Sequence, residues 1–542
     1  MTSDLMEKIV ALCKRRGFIY PGSEIYGGLG GTWDYGPLGV LLANNIKNEW
    51  WRSMVLLREN VVGLDSSILH HPKVWEASGH ISSFTDPLVE CRKCHQRYHV
   101  DQLSIKSSDY ASVIKEFVNV SDKALDDTDI SIKKVEAMLS MYDAILAGRN
   151  WDDVTPEEKT TLNGLLSLAK KEIEENKKRF NFRKFVLSEL QSFKKFYGFF
   201  TWLILNRSVR CPNCGDMNWT SSKEFNLMFK TYIGPVDDEE NKTYLRPETA
   251  QGIFINFLNV IETTRVRIPF GIAQIGKGFR NEITIGNFLF RVREFEIMEL
   301  EFFVKPDEVE KWHKHWKKER LKWYLKLGMQ EKNIKVVDLP KEGLAHYSKG
   351  TAEIWYNWPF MGFGELEGIA NRGDYDLKKH SEYSGKKFEA ADSVSTEGTE
   401  TPMPPYTPYV IEPSVGVGRA MLAFLLDAYS EENGRTILKL HPKLAPYKVA
   451  VFPLLANKPD LVKKARDIYL DLKQDFMAAF DGRGNIGGRY ASQDEIGTPF
   501  CITVDFQSLK DKDVTVRDRD TTKQERVKII DLKSYLHGKI EE

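Results

Sequence analysis

The chain has 542 residues, of which 42% are hydrophobic and 28% are charged. This balance is typical of a folded globular protein, and the length favours about two to four domains over one core. Lys plus Arg and Asp plus Glu both number 77, so nucleic-acid binding driven by a high net charge is not expected. No apolar run long enough to span a membrane and no signal-peptide pattern are found, which predicts a cytoplasmic location.

Residues 1–87 predict two helices, a glycine-rich loop and a strand. The loop is expected at 27–31, between the helices, and the strand at 60–63. The second helix carries Trp50 and Trp51, whose rings predict either core packing or an exposed apolar surface.

Two Cys-x-x-Cys pairs enclose the next segment, 88–220, which we interpret as an insertion. The pairs are Cys91 with Cys94, and Cys211 with Cys214. In a chain predicted to be cytoplasmic, this spacing favours a metal over disulfides. Four thiolates suit a tetrahedral, structural Zn²⁺, and the alternative is a group of thiols that merely pack together.

Residues 221–445 predict a largely antiparallel sheet. Polar and apolar residues alternate at 299–302, as in a half-buried antiparallel strand. The expected strands are 266–268, 270–275, 288–292, 296–303 and 354–356.

Arginine and acidic residues recur in two neighbouring runs, Gly-Phe-Arg-Asn-Glu at 278–282 and Phe-Arg-Val-Arg-Glu-Phe at 290–295. We predict two strand-like arms joined by a short loop, 283–289. Arg280 could hold a nucleotide α-phosphate through fork-like hydrogen bonds, and Phe295 could stack on adenine. The alternative is a charged hairpin on the protein surface.

A third run, Glu-Pro-Ser-Val-Gly-Val-Gly-Arg at 412–419, precedes an apolar segment. It predicts a strand, a tight glycine-containing turn and a buried helix. Gly416 and Gly418 would let the backbone approach a ligand closely, and Arg419 at a helix N-terminus suits a phosphate. A single Gly-x-Gly is usually a turn, but together with Arg280 it indicates a nucleotide site.

Residues 446–542 predict a small α/β domain. Strands are expected at 449–452, 500–504 and 514–517, with a helix after the first strand and another near the end. The apolar face of the first helix is predicted to be Leu461, Ala465, Ile468, Leu472, Phe476 and Phe480.

The arginine runs and the 412–426 segment resemble motifs 2 and 3 of the class II aminoacyl-tRNA synthetases, and the helix after Gly-Pro-Leu-Gly at 36–39 would be motif 1. The finer resemblance is to the homodimeric glycyl-tRNA synthetases, and it covers nearly the whole chain apart from 104–208. The runs that carry it are Trp-Asp-Tyr-Gly-Pro-Leu-Gly at 33–39, Phe-Asn-Leu-Met-Phe-Lys-Thr at 225–231, Tyr-Leu-Arg-Pro-Glu-Thr-Ala-Gln-Gly at 244–252, Gly-Ile-Ala-Gln-Ile-Gly-Lys at 271–277 and Gly-Glu-Leu-Glu-Gly at 364–368.

The resemblance implies an α+β fold with four parts. Residues 1–87 and 221–445 would form a class II catalytic domain, an antiparallel sheet flanked by helices. Residues 88–220 would be a helical and zinc-ribbon-like module, either a solvated hairpin or a contact for the tRNA acceptor arm. Residues 446–542 would bind the anticodon.

The activity implied is that of a glycine–tRNA ligase. Glycine would be activated by ATP to glycyl-adenylate, with Mg²⁺ present, and then transferred to the 3′ end of tRNA(Gly). Positioning and charge stabilisation would carry most of the first step. A homodimer is also implied, for which Tyr20, Pro21, Ile46, Trp50 and Trp51 offer apolar surface unless the tryptophans are core residues.

The resemblance implies three catalytic residues, Arg280, Glu282 and Arg419. Arg280 would hold the α-phosphate and Arg419 the γ-phosphate. Glu365 would coordinate Mg²⁺, unless it forms a salt bridge within the sheet. The ATP-binding residues implied are Arg280, Asn281, Glu282, Phe290, Arg291, Val292, Arg293, Glu294, Phe295, Glu365, Leu366, Gly416, Val417, Gly418 and Arg419.

Glycine offers no side chain to hold, so its site would surround the ammonium group with carboxylates. The resemblance implies Glu248, Glu299 and Glu412 for this role, and Ser414 beside the α-carbon would exclude a methyl group. Arg97 is a weaker match, because Tyr98 and His99 replace the family's common Phe-Arg. The glycine-binding residues implied are Arg97, Glu248, Phe295, Glu296, Ile297, Met298, Glu299, Glu412, Pro413, Ser414, Val415 and Gly416.

One departure from the family concerns the motif 2 loop. Ile285-Gly286 precedes Asn287 where the family often has Pro-Arg, so the loop's role in reading the tRNA end is not carried over. The alternatives are a non-catalytic, nucleic-acid-binding relative and a class II ligase with another amino acid or acceptor. The first would lack the three catalytic residues, and the second would lack the acidic set.

Overall fold

The computed structural model describes residues 2–99, 103, 209–220, 223–283, 285–340, 350–390, 393–396, 399–402 and 404–541. The tract predicted to be helical between the cysteine pairs lies outside the described residues. The chain divides into two compact units, Met1–Ile81 with Met228–Glu542, and Ser82–Leu227.

The described elements are numbered in chain order. The helices are α1 (Thr2–Arg16), α2 (Pro37–Trp51), α3 (Pro72–Ala77), α4 (His80–Ser83), α5 (Ala250–Thr264), α6 (Val309–Lys326), α7 (Tyr375–Ser384), α8 (Val417–Ala428), α9 (Pro459–Leu472), α10 (Ile486–Asp494), α11 (Phe506–Asp511) and α12 (Leu532–Glu541). The strands are β1 (Ile19–Pro21), β2 (Trp33–Tyr35), β3 (Val61–Gly63), β4 (Thr85–Glu90), β5 (Arg97–His99), β6 (Lys223–Asn226), β7 (Lys230–Tyr232), β8 (Lys242–Tyr244), β9 (Phe270–Phe279), β10 (Glu294–Val304), β11 (Ile334–Asp338), β12 (Gly350–Trp358), β13 (Gly362–Gly373), β14 (Ser393–Thr396), β15 (Thr399–Pro402), β16 (Tyr409–Gly416), β17 (Tyr429–Glu432), β18 (Arg435–Leu438), β19 (Val449–Pro453), β20 (Ala478–Phe480), β21 (Phe500–Val504), β22 (Asp513–Asp518) and β23 (Gln524–Lys528).

The larger unit is built on a seven-stranded sheet in the order β11-β12-β13-β16-β10-β9-β3. Every neighbouring pair is antiparallel except β3 with β9, which confirms the predicted antiparallel sheet. Alternate residues of a strand face opposite sides. In β10, Met298, Leu300 and Phe302 enter the main hydrophobic core, whereas Glu299 and Glu301 are buried on the other face.

Helices cover both faces of this sheet. The main core joins one face to apolar residues of α1, α2, α6 and α8. A smaller core on the other face joins α5 to Phe303, with Phe254 and Phe257 in contact with its ring. Ile46 and Trp50 are fully buried in the main core, so the core alternative for Trp50 is confirmed and neither side chain offers surface to a partner.

Two predicted strands of this region are wrong. Residues 288–292 begin with a single 3-10 turn, Phe288–Phe290, because Asn287 and Phe288 have φ angles of 56° and 60°, which an extended strand cannot include. Residues 266–268 form a connection after α5, whose last turn ends in the left-handed Arg265.

A five-stranded sheet, β20-β19-β21-β22-β23, forms the C-terminal part of the larger unit. β19 is parallel to both neighbours, and the other pairs are antiparallel, in agreement with the predicted α/β arrangement. The predicted helix is too long, since α9 ends at Leu472. Phe476 follows in a turn and Phe480 lies in β20, and both still pack with the core that α9 covers.

The smaller unit contains the three-stranded sheet β5-β4-β6. Because β4 pairs with β6, the unit begins and ends slightly outside the predicted insertion. A small core of Val89, Leu103 and Trp219 packs beside the paired cysteines. Of the helices in the described residues, none is long and apolar enough to cross a membrane.

A buried ion pair links α6 to β13. Arg320 Nε and Nη2 donate to the two carboxylate oxygens of Glu367 at 2.6 and 3.1 Å, and Tyr324 Oη donates to the same carboxylate at 2.7 Å. All three side chains are almost fully buried. Such a pair is costly to break, because removal of one charge leaves the other without compensation.

We expect Glu367→Gln to lower the free energy of unfolding by about 3–5 kcal/mol, measured by denaturant titration. Glu319→Gln is the matched control, since its partner Arg58 and Glu319 are both partly exposed and the loss should stay below about 1 kcal/mol. Equal losses in the two variants would contradict this account.

Candidate active site

A cleft of about 220 Å³ opens where β10 begins and β16 ends. All but three of the residues predicted to bind ATP line it. The three exceptions are Asn281, Arg293 and Val417. Trp33 and Tyr35, at the end of the first β-hairpin, also line the cleft and were not predicted to do so. The only signal for them was their place in the Trp-Asp-Tyr-Gly-Pro-Leu-Gly run.

Arg280 follows the last residue of β9 and extends over the cleft. Its Nε donates to the carbonyl oxygen of Pro247 at 3.2 Å, and its guanidinium lies 5.4 Å from the centre of the Phe295 ring. Gly278 makes room for that ring, because a Cβ at this position would lie 2.8 Å from it. The arginine and the aromatic ring that the sequence predicted for one ligand are therefore in contact.

Acidic residues hold two further arginines at the cleft. Arg419 Nη1 lies 2.9 Å from Glu365 Oε2, and the Arg419 guanidinium lies 4.5 Å from the centre of the Phe290 ring. Arg419 lowers the pKa of Glu365, which therefore stays ionised at neutral pH. Arg291 Nη1 lies 3.8 Å from Glu282 Oε2. The cleft thus combines cationic groups with carboxylates that keep them in place.

The junction between β16 and α8 is direct. Gly416 has an extended backbone with a φ of −73°, so the predicted tight turn is replaced by a strand that continues into a helix. Space is what the glycines provide: a Cβ at Gly418 would lie 2.9 Å from Tyr35 Oη, whereas a Cβ at Gly416 would have nothing nearer than 3.9 Å. Gly418 is required for packing, and Gly416 leaves the cleft open.

A cluster of buried acidic residues, called the acidic pocket below, adjoins the cleft through Ser414. Glu248, Glu299 and Glu412 are each at least nine-tenths buried, as predicted for one site. Ser414 Oγ donates to Glu299 Oε1 at 2.9 Å, and the Thr249 amide donates to Glu299 Oε2 at 2.6 Å. Ser414 also lines the cleft, so this one side chain joins the two halves of the site.

Arg372 on β13 connects the acidic residues and was missed in the sequence. Its Nε and Nη2 donate to Asp376 at 2.8 and 3.0 Å, its Nη1 donates to Glu412, and Nη2 lies 4.0 Å from Glu248. Burial raises the pKa of Glu412 to about 8, although Arg372 opposes the shift. The one feature of the sequence that could have indicated this role is that Arg372 follows four uncharged strand residues, 368–371.

Ionisation differs among the acidic residues. Burial opposes the charge on Glu248, yet His80 and Arg372 lower its pKa. Burial raises the pKa of Glu299, and the charge on Glu248 raises it further. His80 Nε2 lies 3.5 Å from Glu248 Oε1. The pocket therefore holds one firmly ionised carboxylate next to two that take up protons more readily.

Several residues predicted to bind glycine do not face the pocket. Glu296, Met298 and Pro413 lie on the other face of the sheet, because strand residues alternate in direction. Lys47 of α2 donates to both carboxylate oxygens of Glu296 at 2.9 and 3.0 Å on that face. Arg97 belongs to the smaller unit, where its Nε donates to Glu90 at 2.9 Å.

Arg293 was predicted to contact ATP, but its contacts are with backbone carbonyls. Nη1 donates to Gly30 at 2.6 Å and Nε donates to Glu282 at 2.9 Å. Its own amide donates to Gly31 at 2.8 Å, and its carbonyl accepts from the Arg280 amide at 2.9 Å. The two runs 278–282 and 290–295 are the first and second arms of what we call the arginine hairpin. Arg293 therefore attaches the glycine-rich loop and the first arm to the second arm.

The four paired cysteines of the smaller unit form one cluster. Their sulfur atoms all lie within 4.8 Å of one another. Each pair lies in its own backbone turn, and the two turns have the same geometry. In each turn, the amide of the residue four positions after the first cysteine donates to the carbonyl oxygen of that cysteine at 2.8 Å. That residue is left-handed in both turns, His95 with φ 57° and Gly215 with φ 73°. Two matching turns thus present four thiols to one point.

Known families match both parts of the larger unit. The family described as the tRNA synthetase class II core domain (G, H, P, S and T) matches residues 228–429, and the anticodon binding domain matches 448–539. A glycine–tRNA ligase of Caldanaerobacter subterraneus is 46% identical over 99% of this chain and 98% of its own length. Those of Geobacillus thermodenitrificans and Streptomyces coelicolor are 47% and 45% identical, over 99% and 100% of this chain and 97% and 99% of their own lengths.

The chain belongs to the glycine–tRNA ligase family. Membership confirms the resemblance drawn from the sequence, and with it the class II fold. A non-catalytic relative is not favoured, because the matches extend over whole glycine–tRNA ligases and the cleft contains Arg280, Glu282 and Arg419.

We expect Arg293→Lys to loosen the contact between the glycine-rich loop and the arginine hairpin. A lysine cannot reach two carbonyls in a fork, and a hydrogen bond from a charged donor contributes about 1.5–3 kcal/mol. Hydrogen–deuterium exchange of the peptide that contains Gly30 and Gly31 should become about tenfold faster.

Arg291→Lys is the control for this measurement, because Arg291 lies at 3.8 Å from Glu282 and belongs to the same arm. The exchange rate of the loop should not change in this variant. Similar rates in both variants would show that Arg293 does not fasten the loop.

Proposed function

We propose that the cleft and the acidic pocket together activate glycine with ATP and transfer the glycyl group to the 3′ end of tRNA(Gly). The observation that carries this proposal is the position of Ser414, whose side chain lines the arginine-rich cleft and donates to Glu299 in the acidic pocket. A glycine whose ammonium group is bound in the acidic pocket would place its own carboxylate at the cleft.

The activation step needs a carboxylate oxygen to attack the α-phosphorus while pyrophosphate leaves. Arg280 would hold the α-phosphate and the glycine carboxylate, so that both reacting anions are brought together despite their repulsion. Arg419 would bind the γ-phosphate, and Phe295 would stack on the adenine. The ion pair between Arg419 and Glu365 keeps the arginine near the cleft before ATP arrives.

Glycine would be selected by charge and by lack of space. Glu299 and Glu412 take up protons readily in the unliganded pocket, and the glycine ammonium would favour their ionised forms by supplying a positive charge beside them. Ser414 is held by its hydrogen bond to Glu299 and would stand where a methyl group has to fit. Exclusion of larger amino acids by steric clash needs no editing site.

We also propose that Glu365 takes part in Mg²⁺ binding. Its side chain is half exposed at the cleft, and its lowered pKa keeps it ionised, as a hard cation requires. Mg²⁺ would supply neutralisation of phosphate charge. The ion pair of Glu365 is with Arg419 on α8, and it differs from the alternative predicted for Glu365, a salt bridge within the sheet.

The remaining parts of the chain are assigned by the same proposal. Residues 1–87 and 221–445 would make up the catalytic domain, 88–220 an insertion, and 446–542 the part that binds the tRNA anticodon. The match of 448–539 to the anticodon binding domain supports the last assignment. We further propose a cytoplasmic location, where tRNA is charged for protein synthesis.

A homodimer is proposed on two grounds, the family resemblance and the exposed apolar side chains. Ile25 and Tyr26 are each 87% exposed, and Leu56 and Leu57 are each 67% exposed. Each of these is a pair of consecutive apolar residues, and contiguous exposed apolar patches mark interaction surfaces. Of the residues predicted for the dimer surface, Ile46 and Trp50 are buried, whereas Tyr20 is 39% exposed.

The cysteine cluster is proposed to bind a structural Zn²⁺, which would tie the two turns together. We expect purified protein to contain about one zinc per chain by elemental analysis, and Cys211→Ser to lose it. Cys501→Ser is the control, since Cys501 is buried in the C-terminal sheet and belongs to no cluster within the described residues. Zinc content that does not depend on Cys211 would exclude the site.

The proposed function is tested by ATP–pyrophosphate exchange with glycine, alanine and serine. We expect exchange with glycine alone. Glu299→Gln should lower kcat/KM for glycine about 100-fold, which corresponds to about 3 kcal/mol, because a charged partner of the ammonium is lost.

Glu296→Gln is the matched control, since Glu296 lies on the same strand but faces Lys47 on the other side. Its kcat/KM should stay within about twofold of the unchanged protein. Exchange with alanine, or equal losses in the two variants, would refute the assignment of the pocket.

A further inference from the structure

Glu301 lies two residues beyond Glu299 on β10, on the same face of the sheet and about 7 Å farther along the strand. It is fully buried. Within the described residues neither of its carboxylate oxygens has a hydrogen-bond partner. A buried carboxyl group in this situation is uncommon, because water is excluded and nothing replaces it.

Glu301 pairs with the apolar Ile272 on β9, and four charged groups of other elements and of its own strand act on it. They are Glu412 of β16, Arg372 of β13, Asp376 of α7 and Glu299 of its own strand. The arginine is the one cation among these, and its nitrogens donate to Asp376 and Glu412. Within the part of the chain that the structure describes, Glu301 therefore has three acidic neighbours, and its one cationic neighbour is shared with two of them.

We propose that Glu301 is a neutral carboxylic acid in the native protein and acts as a positioning residue for the acidic pocket. An ionised carboxylate without hydrogen bonds could not be maintained at a site with this burial. Burial and the charge on Glu412 raise the pKa of Glu301 well above its ordinary value, in the same direction. The neutral state of Glu301 does not depend on the proposed function, whereas its positioning role for glycine binding rests on that function.

The absence of charge on Glu301 protects the contacts of Arg372. An ionised Glu301 would compete with Glu412 for the guanidinium and repel Glu299 along the strand. Glu412 would then leave the position in which it helps to surround the ammonium group. When Glu301 is neutral, Arg372 keeps its hydrogen bonds to Glu412 and Asp376. The ammonium group of glycine then supplies the positive charge that the acidic pocket still lacks.

The first test uses Glu301→Gln, which keeps the shape and the neutrality but has no proton to lose. In infrared spectra of the unliganded protein at neutral pH, we expect the carbonyl band of protonated carboxylic acids to be weaker in the variant than in the unchanged protein, because Glu412, whose pKa is raised to about 8 by burial, also contributes to this band. No difference between the two spectra would overturn the proposal.

The second test follows the melting temperature with pH. The native carboxyl keeps its proton to a higher pH than the unfolded one, whose ordinary pKa is 4.5. Its stabilising effect is complete below that value and declines as the pH rises towards the native pKa. The melting temperature of the unchanged protein should therefore fall relative to Glu301→Gln above about pH 5.

Glu367→Gln is the control for melting, since Glu367 is equally buried but bonded to Arg320. At pH 7 it should melt several degrees lower than the unchanged protein, whereas Glu301→Gln should not. A similar loss in Glu301→Gln would show that Glu301 is ionised and overturn the proposal.

The positioning role is tested by glycine-dependent exchange from pH 7 to 9. We expect kcat/KM of Glu301→Gln within about twofold of the unchanged protein at pH 7, and a ratio that rises in favour of the variant as the pH increases. A constant ratio would overturn the positioning role. Spectra and melting need no substrate, so they separate this proposal from a failure of the proposed function.

Discussion

The two-residue alternation of β10 is the constraint on which the rest of the structure depends. From Met298 to Phe302, every second side chain enters the main hydrophobic core, and Glu299 and Glu301 between them lie on the opposite face. The apolar half fixes the strand against α2, α6 and α8, so the register of the acidic half is fixed as well. A shift by one residue would place carboxylates in the core, which the burial of charge forbids.

The neighbouring strand β16 extends the same arrangement. Glu412 and Ser414 face the site, and Ile411 and Val415 face the core. Because β16 continues directly into α8, one continuous segment provides an acidic residue for the pocket and Arg419 for the cleft. The distance between pocket and cleft is thereby set by backbone hydrogen bonds and not by flexible loops.

Much of this arrangement was predictable from the sequence, because local spacing indicated the sheet and the arginine arms and the family resemblance implied the acidic set. The antiparallel sheet, the placement of Arg280 with Phe295 and the gathering of Glu248, Glu299 and Glu412 were all expected and are observed. Contacts between distant segments were not. Arg372 and Arg293 each bond to several partners that are distant in the sequence, and the residues beside them do not indicate which partners those are.

Errors in the predicted elements have a common cause. Hydrophobic spacing continued past the end of α9, and apolar residues at 288–292 resembled a strand. In both places the apolar side chains pack against a hydrophobic core, but the backbone changes direction and does not continue the predicted helix or strand. Hydrophobic pattern predicts which residues are buried, and it does not determine the φ angles by which the chain brings them there.

The cysteine turns have a consequence for the length of the chain between them. Cys94 and Cys211 are far apart in sequence, yet their sulfur atoms lie 3.6 Å from each other. Two turns that are distant in the sequence therefore meet at one place in the smaller unit. Since the entropy of closing a loop changes only slowly with its length, segments of very different size could be accommodated there without altering the distance between the two ends.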